Sequence, residues 1–254
     1  MLLLRTIATN GLSSHGFVWP LEVGAVTRCP DPDPDPKRDC GGGLHGLPWG
    51  EGDGSLLDWS TDYKWLVFEA NDAEVVLSPG KGRAYGQVTI RFVGDRKAAT
   101  DFLLANGAAG KAVVGVFCTA GDRGTATAGY EGTATAGYRG TATAGYRGTA
   151  TAGDGGIATV GDRGTATAGY RGTATVGDRG IATVGDRGIA TAGYEGTATA
   201  GYEGTATAGE GGIIQIRHWV GKRFRIVTGY VGEAAIKANV KYRLVGETFT
   251  EDKG

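Results

Sequence analysis

Residues 124–211 are one octapeptide repeated eleven times without a gap, and this array constrains the fold of the chain more than any other feature. Its commonest form is Gly-Thr-Ala-Thr-Ala-Gly-Tyr-Arg. Positions one, three, four and six never vary: Gly, Ala, Thr and Gly. Position two is Thr except at Ile157, Ile181 and Ile189, and position five is Ala except at Val160, Val176 and Val184. Positions seven and eight mix Tyr, Asp or Glu with Arg, Glu or Gly.

Two invariant glycines per octad, each costing about 1 kcal/mol in a helix interior, exclude a helix. Collagen is excluded because glycine does not recur every third residue and the array has no proline. The pattern fits a short strand, Thr-Ala-Thr-Ala, alternating with period two and ending at a corner. At the corners the glycines are expected to supply unusual backbone angles. One octad cannot travel out and back, so two octads make a sixteen-residue coil of a flat β-solenoid. Three octads per coil would enclose a triangular space too wide for Ala and Val to fill. Coils stacked at about 4.8 Å give a rod on the order of 26 Å long.

Positions three and five, all Ala or Val, are expected inside. Turning positions two and four inward would bury hydroxyls that each need a partner, at about 1–3 kcal/mol per failure. Threonines therefore form two ranks on each face. One face carries Thr125, Thr127, Thr141, Thr143, Thr173, Thr175, Thr205 and Thr207, and the opposite face Thr133, Thr135, Thr149, Thr151, Thr165, Thr167, Thr197 and Thr199. The same arrangement leaves the three isoleucines exposed. At the corners, one edge reads Asp122, Tyr138, Asp154, Tyr170, Asp186, Tyr202 and the other Tyr130, Tyr146, Asp162, Asp178, Tyr194, Glu210. Two readings stay open: solvated corners with mixed charge, or a self-association edge through Tyr130, Tyr138, Tyr146, Tyr170, Tyr194 and Tyr202.

The stretch Ala136-Gly-Tyr-Arg-Gly-Thr-Ala-Thr143 resembles the Ala-Gly-Tyr-Gly-Ser-Thr-Gln-Thr half-repeat of bacterial ice nucleation proteins. The resemblance covers about a third of the chain, with Ala where that half-repeat has Gln. It implies a sixteen-residue β-solenoid whose Thr-x-Thr rows order water, and insect antifreeze proteins likewise bind ice through threonine rows on solenoids.

The formal net charge of −1 implies no polyanionic or acidic partner. Residues 1–5 are too short an apolar run for a signal peptide or a membrane span, so a cytoplasmic protein is expected. Cys29, Cys40 and Cys118 are odd in number and show no metal spacing. Residues 1–106 read as a separate α+β domain, with strands at 2–7, 17–26, 65–68, 74–77 and 87–93. A helix is expected at 95–106 with Ala98, Phe102, Leu103 and Ala105 on its apolar side. Asp31-Pro-Asp-Pro-Asp-Pro36 is an extended loop, since prolines deny a strand its donors. Four of the five tryptophans lie in this domain, which points to a large core. His45 lies near Asp39, Cys40 and Glu51 in sequence, which raises a metal site or a Cys–His pair; a turn-rich crossing is the preferred reading, with no metal or cofactor expected. Gly16-Phe-Val-Trp19, Val23-Gly24 and Cys40 with Gly43-Leu-His45 resemble an uncharacterised domain that precedes Ala/Thr/Gly-rich repeats in phage and bacterial proteins.

Residues 107–212 form the solenoid, entered through a degenerate octad with larger residues, as terminal repeats are atypical. Residues 213–254 read as a β cap: a hairpin of 213–219 and 224–231, with a third strand at 238–245, covering the open edge of the last coil. Its eight Lys and Arg against four Asp and Glu give +4, which reads as an edge guard in preference to a nucleic-acid patch. No catalytic constellation is visible, and an enzyme is not expected. Two functions remain: a structural or interaction rod that associates with itself, or a rod whose threonine rows bind ice or ordered water. No membrane partner is expected.

Overall fold

The computed structural model describes residues 1–13, 15–38 and 42–253. They form two compact units, Met1–Val116 and Phe117–Gly254. In the first, apolar residues alternating with polar ones build β1 (Leu2–Ala8), β2 (Val26–Arg28), β3 (Leu44–Pro48), β4 (Tyr63–Ala70), β5 (Val75–Ser78), β6 (Lys81–Ala84) and β7 (Gln87–Gly94). These pair antiparallel in the order β2-β7-β4-β1-β3-β6-β5. One sheet face builds a core around Leu3, Ile7, Leu66, Phe68 and Ile90, all fully buried. The helix α1 (Arg96–Leu103) packs on β4 and β7. Asp95 caps it by accepting the Ala98 N–H at 2.8 Å.

Local differences from the sequence expectation have physical causes. Of the strand expected at 17–26 only Val26 lies in a strand, as the start of β2; Pro20 and Gly24 interrupt residues 17–25, which form a loop whose Trp19 packs on Phe68 at 5.0 Å between ring centroids. The aromatic residues there plug the core instead of pairing. The helix is shorter than 95–106 and gives way after Leu103 to a wide turn, Leu104–Ala108, in which Gly107 has φ +111°. Ala105 is therefore exposed, and the buried side is Ala99, Thr100 and Leu103. The segment around His45, read as a turn-rich crossing, is strand β3. The prolines of the 31–36 loop are held by a residue the sequence did not single out. Arg83, fully buried on β6, donates to the carbonyls of Asp33, Asp35, Arg38 and Gly42.

In the second unit, short strands recur every eight residues from Phe117–Ala120 to Thr205–Ala208. Each pairs in parallel with the strand sixteen residues away, so that Thr133 lies beside Thr149 in one sheet and Thr141 beside Ile157 in the other. Alternate strands thus fall into two parallel sheets, and each coil takes one strand from each. This is the flat solenoid of sixteen-residue coils. Positions three and five of every octad are at most 5% exposed.

The corners correct one expectation. Positive φ belongs to position eight and not to the invariant glycines: Arg123, Glu131, Arg139, Arg147, Arg163, Arg171, Arg179, Arg187, Glu195 and Glu203 have φ from 50° to 59°. Most corners close with a hydrogen bond from the position-one N–H to the position-six carbonyl, as Gly140 to Gly137 at 3.0 Å. Positive φ at the third turn residue alone matches the type II class. A non-glycine residue in that region costs roughly 1–2 kcal/mol. Offsetting it, the position-eight N–H donates to a position-seven carbonyl of the next coil, as Arg139 to Asp154 at 2.9 Å.

Glycine is invariant at positions one and six for lack of room. A Cβ on Gly185 would lie 2.8 Å from the Tyr170 nitrogen and 2.9 Å from the Gly169 carbonyl carbon of the adjacent coil. A Cβ on Gly140 would lie 2.7 Å from the Ala136 Cβ and 3.0 Å from the Gly124 oxygen. Alanine is the largest residue most coils hold because the two sheets and their corners approach this closely.

At the end of the rod, Ile213–Val220 continues one sheet in parallel, with Ile214 and Ile216 filling the places of Ala198 and Ala200. It turns back through Gly221 and Lys222 into the antiparallel strand Arg223–Tyr230. The other sheet is closed by a second hairpin, Tyr242–Val245 with Thr248–Glu251, joined to the last coil at Ala206 and Tyr242. The third strand is thus shorter than residues 238–245 and has its own partner. Much of the cap's basic charge is paired: Arg217 with Asp186, Lys237 with Glu251, and Lys241 with Asp252. Among the described residues, no helix is long and apolar enough to cross a membrane.

Candidate functional site

The two broad faces of the solenoid are built by positions two and four. Period two turns these side chains away from the Ala and Val interior, and the sixteen-residue register stacks them directly above one another. On one face stand Thr125, Thr127, Thr141, Thr143, Thr173, Thr175, Thr205 and Thr207; on the other stand Thr133, Thr135, Thr149, Thr151, Thr165, Thr167, Thr197 and Thr199. Thr125 and Thr149 are exposed and the rest half-buried, since neighbours in the rank cover their flanks. Neighbours along a rank are about 4.8 Å apart, and the two ranks of a face are about 6.7 Å apart.

The ranks differ in continuity. Position two is broken by Ile157 and Ile189 on one face and by Ile181 on the other, all of them exposed. Position four is unbroken. It runs Thr127, Thr143, Thr159, Thr175, Thr191, Thr207 on one face and Thr119, Thr135, Thr151, Thr167, Thr183, Thr199 on the other, ending at Gln215. Thr119, Thr159, Thr183 and Thr191 were absent from the residues singled out in the sequence. The signal for three of them was present: position four never varies, even where position two is Ile.

The edges bind coil to coil. Asp122, Asp154, Asp162, Asp178 and Asp186 each accept, through Oδ1, the N–H of the position-seven residue one coil further on, at 2.7–2.9 Å. Position-eight charges pair along the edge: Arg147 with Glu131, Arg179 with Glu195, and Arg187 with Glu203. The Arg179 guanidinium and the Tyr194 hydroxyl hold the Glu195 carboxyl below its usual range. The six tyrosines divide. Tyr130 and Tyr146 stack at 5.4 Å and Tyr202 packs edge-on against Phe224, while Tyr138, Tyr170 and Tyr194 are more than 40% exposed.

The repeat resembles that of ice nucleation proteins. The repeat region is 38% identical over 107 residues to the ice nucleation protein of Xanthomonas campestris pv. translucens, covering 42% of this chain and 7% of that one. It is 42% identical over 105 residues to that of Pseudomonas syringae, covering 41% and 9%, and 32% identical over 107 residues to that of Pseudomonas fluorescens, covering 42% and 8%. The chain thus spans less than a tenth of the length of these relatives. No known family profile and no solved structure matches it. The similarity thus lies in the repeat, which here forms a β-solenoid of sixteen-residue coils.

The segment around His45 was the other candidate. Asp39 and Cys40 lie outside the described residues. Glu51 accepts from the Lys111 ammonium at 3.2 Å and from the Ala112 N–H at 3.0 Å. Burial chiefly, and then Lys81, push the His45 imidazole below its usual pKa. Cys29 is a buried free thiol raised by that burial, and Cys118 is raised for the same reason.

Proposed function

We propose that the solenoid binds ice or ordered water through its threonine faces. The observation that carries this reading is the stacking of threonines in sixteen-residue register on a parallel lattice, unbroken at position four and interrupted only by three isoleucines at position two of the octads. Each row presents hydroxyl and methyl groups at spacings set by the backbone, so little side-chain freedom is lost when a surface of water molecules docks. The named relatives support the same reading. A second reading has one specific observation in its favour, the exposure of Tyr138, Tyr170 and Tyr194 on the edges. In that reading the rod is a structural element that docks against a second copy of itself.

One experiment addresses both. The purified chain is expected to shape ice crystals or raise the freezing temperature of supercooled droplets. Thr151→Lys with Thr167→Lys, which places two ammonium groups in the unbroken rank of one face, is expected to weaken the effect while the far-ultraviolet dichroism stays unchanged, and Thr143→Lys with Thr175→Lys added on the other face is expected to remove it. Unshaped crystals and buffer-like freezing at high concentration reject the water-ordering reading. Sedimentation of the same samples tests the second: a monomer at every concentration rejects docking through the tyrosines.

A further inference from the structure

The first unit holds a cavity that the reading above does not use. Strand β1 turns Leu3, Arg5 and Ile7 toward the core, with Arg5 directly opposite Leu66 on β4. A guanidinium thus occupies a register position that its neighbours fill with Leu and Ile. Burying such a group is unfavourable unless its donors are paired. Its partners fall short: Nη1 donates to the His45 carbonyl at 3.2 Å, the guanidinium lies 4.4 Å from the centre of the Trp19 ring, and the buried Nε–H has no acceptor among the described residues. Burial lowers its pKa to about 10, so it remains cationic at neutral pH.

Trp19 repeats the pattern. It is 1% exposed, and its indole N–H also has no acceptor among the described residues. Buried donors without acceptors are rare in native proteins and call for an explanation. Arg5 and Trp19 line one cavity of about 570 Å³, within the range of small-molecule sites. Phe17, Leu47 and Leu57 contribute apolar wall, and Lys81 adds a second cation beside the Asp31 carboxylate.

We infer that this cavity binds a small organic carboxylate, its two oxygens accepting from the Arg5 Nε–H and the Trp19 indole N–H and its compact apolar body lying against Phe17 and the leucines. Two unpaired donors match the two oxygens of a carboxylate, which reach them when the Arg5 and Trp19 side chains turn toward the cavity. A phosphate would bring a third oxygen and a second negative charge toward Asp31. The inference is independent of the threonine faces.

The test uses the full chain with ¹⁵N-labelled indoles, which gives five indole signals. The signal lost in Trp19→Phe identifies Trp19. Titration with sodium benzoate is expected to move that signal saturably, with half-saturation at about 1 mM or below. Benzyl alcohol, with the same body and no carboxylate, is expected to bind at least about tenfold more weakly. Acetate, which lacks the body, is expected to bind more weakly than benzoate. Arg5→Met is expected to abolish the benzoate shift; where that variant does not fold, the comparison of benzoate with benzyl alcohol on the unaltered chain decides alone. No saturable benzoate shift, equal affinity for benzyl alcohol, or tighter binding of inorganic phosphate overturns the inference.

Discussion

In Met1–Val116 the interior is a mosaic of different shapes: Leu3, Ile7, Trp19, Phe68 and Ile90 interlock, each fitted to a site no other residue shares. In the solenoid one methyl group, or at most a valine, fills almost every interior position. The first region is held chiefly by large side chains leaving water, at about 25 cal/mol per Å² of apolar surface. The second buries little per residue. Its order comes from a backbone ladder that runs through both strands and corners, and from backbones that touch where other folds would place side chains. The two regions therefore fail in opposite ways: the first by losing atoms, the second by gaining them.

The largest expected effect tests the first half of that contrast. Phe68→Ala removes a fully buried ring that packs on Trp19, and it is expected to destabilise the first unit by about 3–5 kcal/mol. Chemical denaturation followed by tryptophan fluorescence measures it, since Trp19, Trp49, Trp59 and Trp65 all lie there. A loss under about 1 kcal/mol would mean that this core is not packed as a mosaic.

The next effect tests the second half. Gly185→Ala adds a single methyl 2.8 Å from one backbone atom of the adjacent coil and 2.9 Å from another. It is expected to cost about 1–3 kcal/mol or more, as overpacking does. Gly155→Ala is the control. Gly155 has φ +65°, but its new methyl would meet only the flexible Arg139 side chain at 3.2 Å, so about 1 kcal/mol from the backbone conformation alone is expected. Thermal unfolding followed by β-sheet dichroism compares the two. An equal loss in both variants would show that conformation, and not contact, fixes glycine in the repeat.

That pair also marks what the sequence could and could not disclose. The sixteen-residue coil was legible because a strict period leaves few ways to close, and the inward face was legible because Ala and Val alternate with Thr. The reason for each glycine was not legible. Invariance looks the same whether it comes from φ or from a neighbouring backbone, and only the placement of Gly169 and Tyr170 against Gly185 separates them. Position eight was misleading in the opposite sense, since Arg and Glu give no hint of positive φ. Outside the repeat, strands β1, β4 and β7 were legible from alternation. The aromatic run at 17–26 carried the composition of a strand and serves as a core plug. Strand β3, preceded by a run of glycines and ending in proline, carried the composition of a turn; pairing with β1 and β6 overrides that local preference. The ranks at position four were readable from the alignment of octads, but their continuity across both faces depends on which strands share a sheet.

The smallest effect separates the regions by charge. Burial, followed by the nearby Lys81, holds the His45 imidazole below its ordinary value of about 6.5. As pH falls from 7.5 the unfolded chain takes up the proton near that value, whereas the folded chain takes it up only at lower pH. The unfolded state then binds more protons, so the first unit loses stability across this window, until the pH passes below the folded-state pKa. The octads contain no histidine and their interior has no titratable group, so the coils have no counterpart to this loss. Denaturation midpoints of the first unit at pH 7.5 and 5.5 are expected to differ by a fraction of the Phe68→Ala effect, and His45→Gln is expected to remove His45's share of the difference. Amide exchange in the coils, corrected for the intrinsic effect of pH, is expected to stay constant. Coils that loosen in step with the first unit would show that the two regions share a stability that their separate interiors do not predict.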